Sequence, residues 1–229
     1  MKVIAVIPSG GIGKRTSYSL PKQYVRVNGK ELVAYTLEVF QKCEIIDLIV
    51  IAAQKTYFNL IEEIKSKYQI TKLLPPVEGG LERQSSVFNA VRSLKAGKDD
   101  FLVIHDAVRP FVTESIITNS VNIAKEFGSS VVAIKAKDTL MKGNEEVVSY
   151  LDRSDVYYVQ TPQVYKYNIF ADSMTKAEKS NFIGTDESML VCNAGYTVKI
   201  VAGSSFNFKI TSDEDILLFE LILKGLAAT

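Results

Sequence analysis

The sequence predicts an α/β protein built on a doubly wound, mainly parallel sheet. Three observations carry that prediction. Five apolar runs are short enough to be strands: Val3 to Ile7, Leu48 to Ala53, Phe101 to His105, Ser130 to Ile134 and Thr197 to Val201. The runs are continuous rather than alternating, which suits strands covered on both faces. Amphipathic helical stretches lie between them, so the order β-α-β-α repeats along the chain.

Each element has its own warrant. The first run starts at residue 3 and ends in a glycine turn, so the segment MKVIAVIPSGG reads as a strand and not as a secretory leader. Val33, Leu37 and Phe40 share one helical face, and Tyr57, Ile61, Ile64 and Tyr68 share another. Val87, Ala90, Val91 and Leu94 form a third stripe. Ile117, Val121 and Ala124 form a fourth, after Thr113, a good N-cap. The last helix follows Thr211 and Ser212. Asp213, Glu214 and Asp215 make an acidic first turn rather than a metal cage, and Ile216, Phe219 and Leu223 are its apolar face. Residues 137–160 break the rhythm. Lys142-Gly143-Asn144 reads as a turn between short apolar pieces, hence a hairpin excursion that decorates the surface or reaches a partner subunit.

Bulk properties remove several classes of function. A chain of 229 residues fits one domain, with residues 137–160 as its excursion. The formal net charge of +1 gives little support to nucleic-acid binding. The apolar runs are too short to span a membrane. Cys43 and Cys192 make no disulfide framework and read as buried or half-buried thiols of a cytoplasmic protein. His105, the one histidine, suits a packed strand end better than a zinc cluster or a catalytic base.

Val6 to Arg15 read VIPSGGIGKR. Glycines let the backbone take unusual conformations and let a ligand approach closely, and successive N–H groups can cradle an anion. The stretch lacks the third glycine of a dinucleotide fingerprint and the Gly-Lys-Ser/Thr of a P-loop. Leu20-Pro21-Lys22-Gln23 follows within one loop length, and Pro21 stiffens the approach to Lys22. Asp106 stands just after a strand, where α/β sheets place ligand-binding groups. It reads as a hydroxyl or metal-water contact, or as a carboxylate that holds Arg109 or caps loop N–H groups.

GGIGKR followed by LPKQY resembles the nucleotide-binding signature of cytidylyltransferases acting on polyol phosphates. The similarity is greatest to the 2-C-methyl-D-erythritol 4-phosphate cytidylyltransferases of the non-mevalonate isoprenoid pathway. Ribitol-5-phosphate cytidylyltransferases are close to them. It continues through the segment Gly79 to Val87, HDAVRP (His105 to Pro110), Asp138-Thr139, LDR (Leu151 to Arg153), QTPQ (Gln160 to Gln163), TDE (Thr185 to Glu187) and FKIT (Phe208 to Thr211). The resemblance implies a Rossmann-like nucleotidyltransferase fold, CTP and a polyol phosphate as substrates, and a divalent cation such as magnesium. It also implies a homodimer in which the 137–160 arm is exchanged. By the same token Arg15, Lys22 and Lys209 are expected to be catalytic cations. Pro8, Ser9, Gly10, Gly11, Gly13, Gly80, Arg83 and Ser86 are expected at the nucleotide, with Arg83 supporting its loop and Ser86 near base or ribose. Asp106, Arg109, Thr139, Arg153, Thr161 and Thr185 are expected at the acceptor, with Asp106 the one candidate metal contact. Two other functions compete at this stage: CDP-ribitol synthesis and non-catalytic nucleotide binding. The presence of both Lys22 and Lys209 speaks against the second.

Overall fold

The computed structural model of the chain describes residues 1–11, 18 and 20–227. The chain runs β1 (Val3–Ser9), β2 (Arg26–Val27), β3 (Lys30–Glu31), α1 (Leu32–Lys42), β4 (Leu48–Ala53), α2 (Phe58–Lys67), β5 (Val77–Glu78) and α3 (Arg83–Ser93). It continues with β6 (Phe101–Ile104), α4 (Glu114–Phe127), β7 (Ser129–Lys135), β8 (Leu140–Gly143), β9 (Val147–Leu151) and β10 (Tyr157–Lys166). It closes with α5 (Tyr167–Ser180), α6 (Glu187–Asn193), β11 (Lys199–Ala202) and α7 (Asp213–Ala227).

Seven strands form the main sheet in the order β11-β7-β10-β6-β1-β4-β5. β1 pairs in parallel with β4 and β6, and the β4–β5 and β7–β11 pairs are parallel too. β10 runs antiparallel to both β6 and β7. The mainly parallel, doubly wound α/β sheet predicted from the sequence is present, with one reversed strand near its centre.

β1 shows why the apolar runs are continuous. Val3, Ala5 and Ile7 enter a core shared with α1, α2 and α4, while Ile4 and Val6 enter a second core shared with α3, α5 and α6. Each buried valine or isoleucine among them contributes roughly 1.5–3 kcal/mol by leaving water, so both faces of the strand favour apolar residues. A third cluster, including Val25, Val27, Ile210, Ile216 and Phe219, seats α7 against the β2–β3 hairpin. Local signals act as predicted at α4: the Thr113 hydroxyl accepts from the Ile116 N–H at 3.3 Å, and Gly128 ends the helix at φ +88°. At α7 the Asp215 carboxylate accepts from the N–H and hydroxyl of Thr211 and the N–H of Ser212, so the acidic turn caps a helix.

Four features depart from the sequence prediction. β10 is a central strand, and it claims residues 157–160 that read as the end of the excursion. α5 and α6 add helices beyond those the apolar stripes predict. β11 lies at a sheet edge, with Ile200 54% exposed, rather than among the central strands. The hairpin turn falls at residues 144–146, because Lys142 and Gly143 still belong to β8. The two cysteines are free, as predicted, but Cys192 is exposed and only Cys43 is buried.

Candidate active site

A cavity of about 510 Å³ opens at the carboxyl ends of β1 and β6. These neighbouring parallel strands continue in opposite directions across the sheet, the arrangement that leaves a ligand crevice in open α/β folds. Pro8 helps shape it. The His105 N–H donates to the Val6 carbonyl at 2.9 Å. In a parallel ladder the next rung would come from residue 8 of β1, and proline has no N–H to give. The β1–β6 ladder therefore stops at Val6↔Ile104, while β1–β4 pairing runs on to Ser9↔Ala53. The chain after β6 is released to turn toward the cavity.

Pro8, Ser9, Gly10 and Gly11 line one wall, with Lys22 beside them. Gln23, to which no role is assigned from the sequence, holds this wall in place. Its buried carboxamide donates to the carbonyls of both Ser9 and Gly11 at 2.8 Å. Gln54 donates to the Gly10 carbonyl at 3.1 Å. Pro21 leads into a single 3-10 turn over Lys22–Tyr24, closed by the Tyr24 N–H on the Pro21 carbonyl. That turn sets Lys22 and Gln23 at the cavity, with the Gln23 carboxamide on the loop carbonyls. Arg15 and Gly13 lie outside the described residues.

The facing wall is the loop before α3. Gly80 and Ser86 line it as expected. A Cβ on Gly10 would stand 2.9 Å from the Ser86 hydroxyl oxygen, and one on Gly79 would stand 3.3 Å from the Gly10 Cα. Small residues let the two loops meet at backbone distance. Ser86, which lines the cavity as expected, also takes the loop-supporting part expected of Arg83. The Ser86 hydroxyl accepts from Gly80 N–H at 3.0 Å and donates to the Glu82 carbonyl at 3.1 Å, so it is Ser86 that supports the loop. Arg83 reaches away from the loop to two carboxylates, because both lie buried beside it.

The floor is ionic. Asp106 Oδ1 pairs with Arg83 Nε at 3.3 Å, while Oδ2 pairs with Arg109 Nε at 3.0 Å and Lys209 Nζ at 3.2 Å. Arg83 Nη1 also pairs with both oxygens of Glu187. Three cations thus stand against two carboxylates. Burial pushes the Asp106 carboxyl up, but Lys209, Arg83 and Arg109 outweigh it and hold the group well below the usual carboxylate range. Burial pushes Glu187 upward, with Arg83 pulling it back. Of the two readings of Asp106, the structure favours the carboxylate that holds arginine. Arg109 also donates to the Asn207 carbonyl at 2.8 Å, and Ile210 N–H donates to the Val108 carbonyl at 2.9 Å, which fixes the Lys209 segment against the post-β6 loop.

β10 supports this floor from below. Its register shifts between Val159 and Gln163, so Thr161 lies in the irregular stretch. The Thr161 hydroxyl accepts from the Asp106 N–H at 3.1 Å and shares a 3.0 Å hydrogen bond with His105 Nδ1. Thr161 is buried and acts on Asp106 rather than presenting itself to a ligand. His105 is fully enclosed, as expected of a strand-end histidine, and burial pushes it down to about 3. Its unfolded value is the higher one, so unfolding takes up a proton between about pH 6.5 and 3 and stability drains away as pH falls through that window. A His105→Asn variant should lose less melting temperature than wild type between about pH 7 and 5. An identical slope in the two proteins would refute this.

The remaining expected residues stand elsewhere. Thr139 and Arg153 are exposed on the excursion, where Arg153 donates to the Lys137 carbonyl at 2.8 Å. Thr185 is exposed and points its hydroxyl at the Met189 sulfur at 3.1 Å. None of the three lines the cavity of its own chain. The structure thus brings together Pro8 to Gly11, Lys22, Gly80, Arg83, Ser86, Asp106 and Lys209 at the cavity, with Arg109 directly beneath. Gln23, Gln163 and Glu187 were missed as supporting residues, although each falls inside a quoted motif. Among the described residues, no group of three or more His, Cys, Asp or Glu side chains could hold a metal ion. No helix among them is long and apolar enough to cross a membrane.

Residues 3–225 match the family model of IspD, 2-C-methyl-D-erythritol 4-phosphate cytidylyltransferase. This chain belongs to that family. A 2-C-methyl-D-erythritol 4-phosphate cytidylyltransferase from Syntrophus aciditrophicus is 37% identical over 97% of this chain and 96% of its own. One from Alkaliphilus metalliredigens is 39% identical over 97% and 93%. Solved structures agree. The 4-diphosphocytidyl-2C-methyl-D-erythritol synthase of Anaerococcus prevotii superposes with a TM-score of 0.86 at 27% identity, covering 97% of this chain and 98% of that one. The IspD of Francisella tularensis gives 0.84 at 27%, covering 96% and 99%. The mixed, mainly parallel sheet is accordingly that of the IspD nucleotidyltransferase structures.

Proposed function

We propose that this protein transfers the cytidylyl group of CTP to 2-C-methyl-D-erythritol 4-phosphate, releasing pyrophosphate. The observation that carries the reading, beyond family membership, is the pairing of two close backbone loops with an ionic floor at one cavity. The attacking phosphate oxygen is already anionic, so no serine, cysteine or general base is required, and His105 stays neutral and enclosed. The task is to hold two anions in line and to stabilise the charge that develops between them. Lys22 and Arg15 would meet the triphosphate from the glycine-loop side, and Lys209 would meet the α-phosphate. Lys209 pairs with Asp106 through one edge of an ion pair and is a third exposed, so a phosphate oxygen can draw it forward without rebuilding the floor. Arg109 and Asp106 would face the acceptor.

A divalent cation would enter with the nucleotide rather than on a protein carboxylate cage, since no group of three His, Cys, Asp or Glu among the described residues could hold one. Magnesium is ordinarily held largely by substrate phosphates, and here those would have to supply most of its ligands, because both Asp106 oxygens are already paired with Arg83, Arg109 and Lys209. When bound, it supplies charge neutralisation at the phosphate oxygens.

The base would be read by backbone groups of the Gly10-Gly11 and Gly79-Gly80 loops. Uracil reverses the donor and acceptor order at the edge where cytosine carries its amine. With UTP, kcat/KM should therefore fall by about 10²-fold or more, as expected for a site built around a hydrogen-bonding edge. Pyrophosphate release measured with each nucleotide checks this, and equal efficiency would sink the reading.

The arm supports a homodimer. Met141, Val148 and Tyr150 on β8 and β9 are 63%, 75% and 68% exposed, and clustered exposed apolar side chains of this kind mark interaction surfaces. Seating this ribbon on a second copy would cover it and would carry Thr139 and Arg153 toward the neighbouring cavity. Light scattering at assay concentration should return twice the chain mass of 25.4 kDa. A monomer would count against arm exchange.

A further inference from the structure

We propose that Glu187 is a positioning residue for cytidylyl transfer: through Arg83 it sets Asp106, and through Asp106 it sets Lys209. The inference rests on the cytidylyl-transfer reading above. Glu187 is 1% exposed and, among the described residues, meets the site through Arg83. Arg83 divides its guanidinium, with Nη1 on Glu187 and Nε on Asp106 Oδ1. Asp106 Oδ2 is thereby left to Arg109 and Lys209. Four charged groups form one chain that ends at the cation expected to meet the α-phosphate.

The far end of that chain is fixed to the sheet. Glu187 opens α6 between Asp186 and Ser188. Gln163, fully buried on β10, donates to Asp186 Oδ2 at 3.1 Å and accepts from Ser188 N–H at 2.9 Å. Tyr165 donates to the same Gln163 oxygen at 2.8 Å. β10 therefore carries Thr161 under Asp106 and Gln163 under α6, so one strand sets both ends of the relay. A buried ion pair contributes little net stability compared with apolar packing. What Glu187 does here is direct half of the Arg83 fork away from Asp106. Without its charge the fork turns wholly to Asp106, and Lys209 loses the anchor that aims it.

The test is a kinetic cycle. Glu187→Gln should lower kcat by about 10- to 100-fold, the range expected when a catalytic cation is misplaced by about 1 Å. KM for CTP should stay within about 3-fold, because the glycine-loop side is untouched. Glu187→Asp retains the charge and should recover at least about half of that loss on a logarithmic scale. In an Arg83→Gln background, Glu187→Gln should cost less than about 2-fold more, since the relay is already cut. The double variant removes both charges together and so remains informative where Glu187→Gln alone unfolds. Unchanged kcat in Glu187→Gln, or losses that multiply in the double variant, would overturn the proposal. Wild type is assayed beside the variants with both methylerythritol phosphate and ribitol 5-phosphate. Turnover with ribitol phosphate alone would overturn the acceptor reading while the cycle still tests Glu187. Turnover with neither would overturn both.

Discussion

Lys22→Ala is expected to lower kcat/KM by roughly 10²–10³-fold, the usual cost of deleting one group that stabilises developing transition-state charge. The fold should survive. Lys22 sits half-buried at the cavity wall, on a turn closed by backbone bonds that an alanine keeps: Tyr24 N–H to Pro21 and Val25 N–H to the residue 22 carbonyl. Gln23 holds the loop itself through its two carbonyl hydrogen bonds. Melting temperature should therefore move little while turnover collapses. Near-normal kcat/KM in a folded Lys22→Ala protein would remove the lysine from the mechanism. Lysine acts here as a compact point charge, so Lys22→Arg should restore only part of the activity.

Asp106→Ala should have the largest combined effect. It leaves Arg109 buried without its carboxylate and takes the shared partner from Arg83 and Lys209. Breaking one side of a buried pair costs about 3–5 kcal/mol, to be read as a lower urea midpoint. Turnover should fall as well, because Lys209 and Arg109 lose their aim. The pH dependence has a definite sign. The Asp106 carboxyl is held below its ordinary value, so its stabilisation is fully present above that value and is lost as pH falls through the depressed one. Wild type should keep this contribution at neutral pH, and the variant should lack it throughout. A variant with wild-type stability at neutral pH would show that the ionic floor holds nothing in place.

Much of the fold can be read from the chain because its central parallel strands are buried on both faces. Ile4 and Ile7 belong to different cores, and no polar residue interrupts the run. β10 is equally central but cannot be read this way. Gln160, Thr161 and Gln163 are polar in sequence and buried in the fold, each satisfied by a long-range partner such as Ser204, Asp106 or Asp186. Strand patterning has no sign for a buried polar residue whose partner is distant. The same holds at the site. Gly10, Lys22 and Asp106 stand out through glycine spacing, a stiffening proline and placement after a strand, whereas Lys209 enters only through the family resemblance. Glu187 lies 104 residues from Arg83, and nothing local to either announces the pair. Ser86 and Arg83 are adjacent enough to be read as one loop-binding unit, and only burial of Asp106 and Glu187 separates their parts.

The central claim is the pairing of CTP with a methylerythritol phosphate acceptor. It is tested most directly by incubating the protein with CTP and either 2-C-methyl-D-erythritol 4-phosphate or ribitol 5-phosphate, and measuring both pyrophosphate and the CDP-polyol formed. The prediction is equal amounts of pyrophosphate and 4-CDP-2-C-methyl-D-erythritol, with kcat/KM at least about 10-fold above that for ribitol phosphate, the discrimination that one methyl branch and one carbon of length can support. Equal or greater efficiency with ribitol phosphate, or pyrophosphate released with no CDP-polyol, would contradict it.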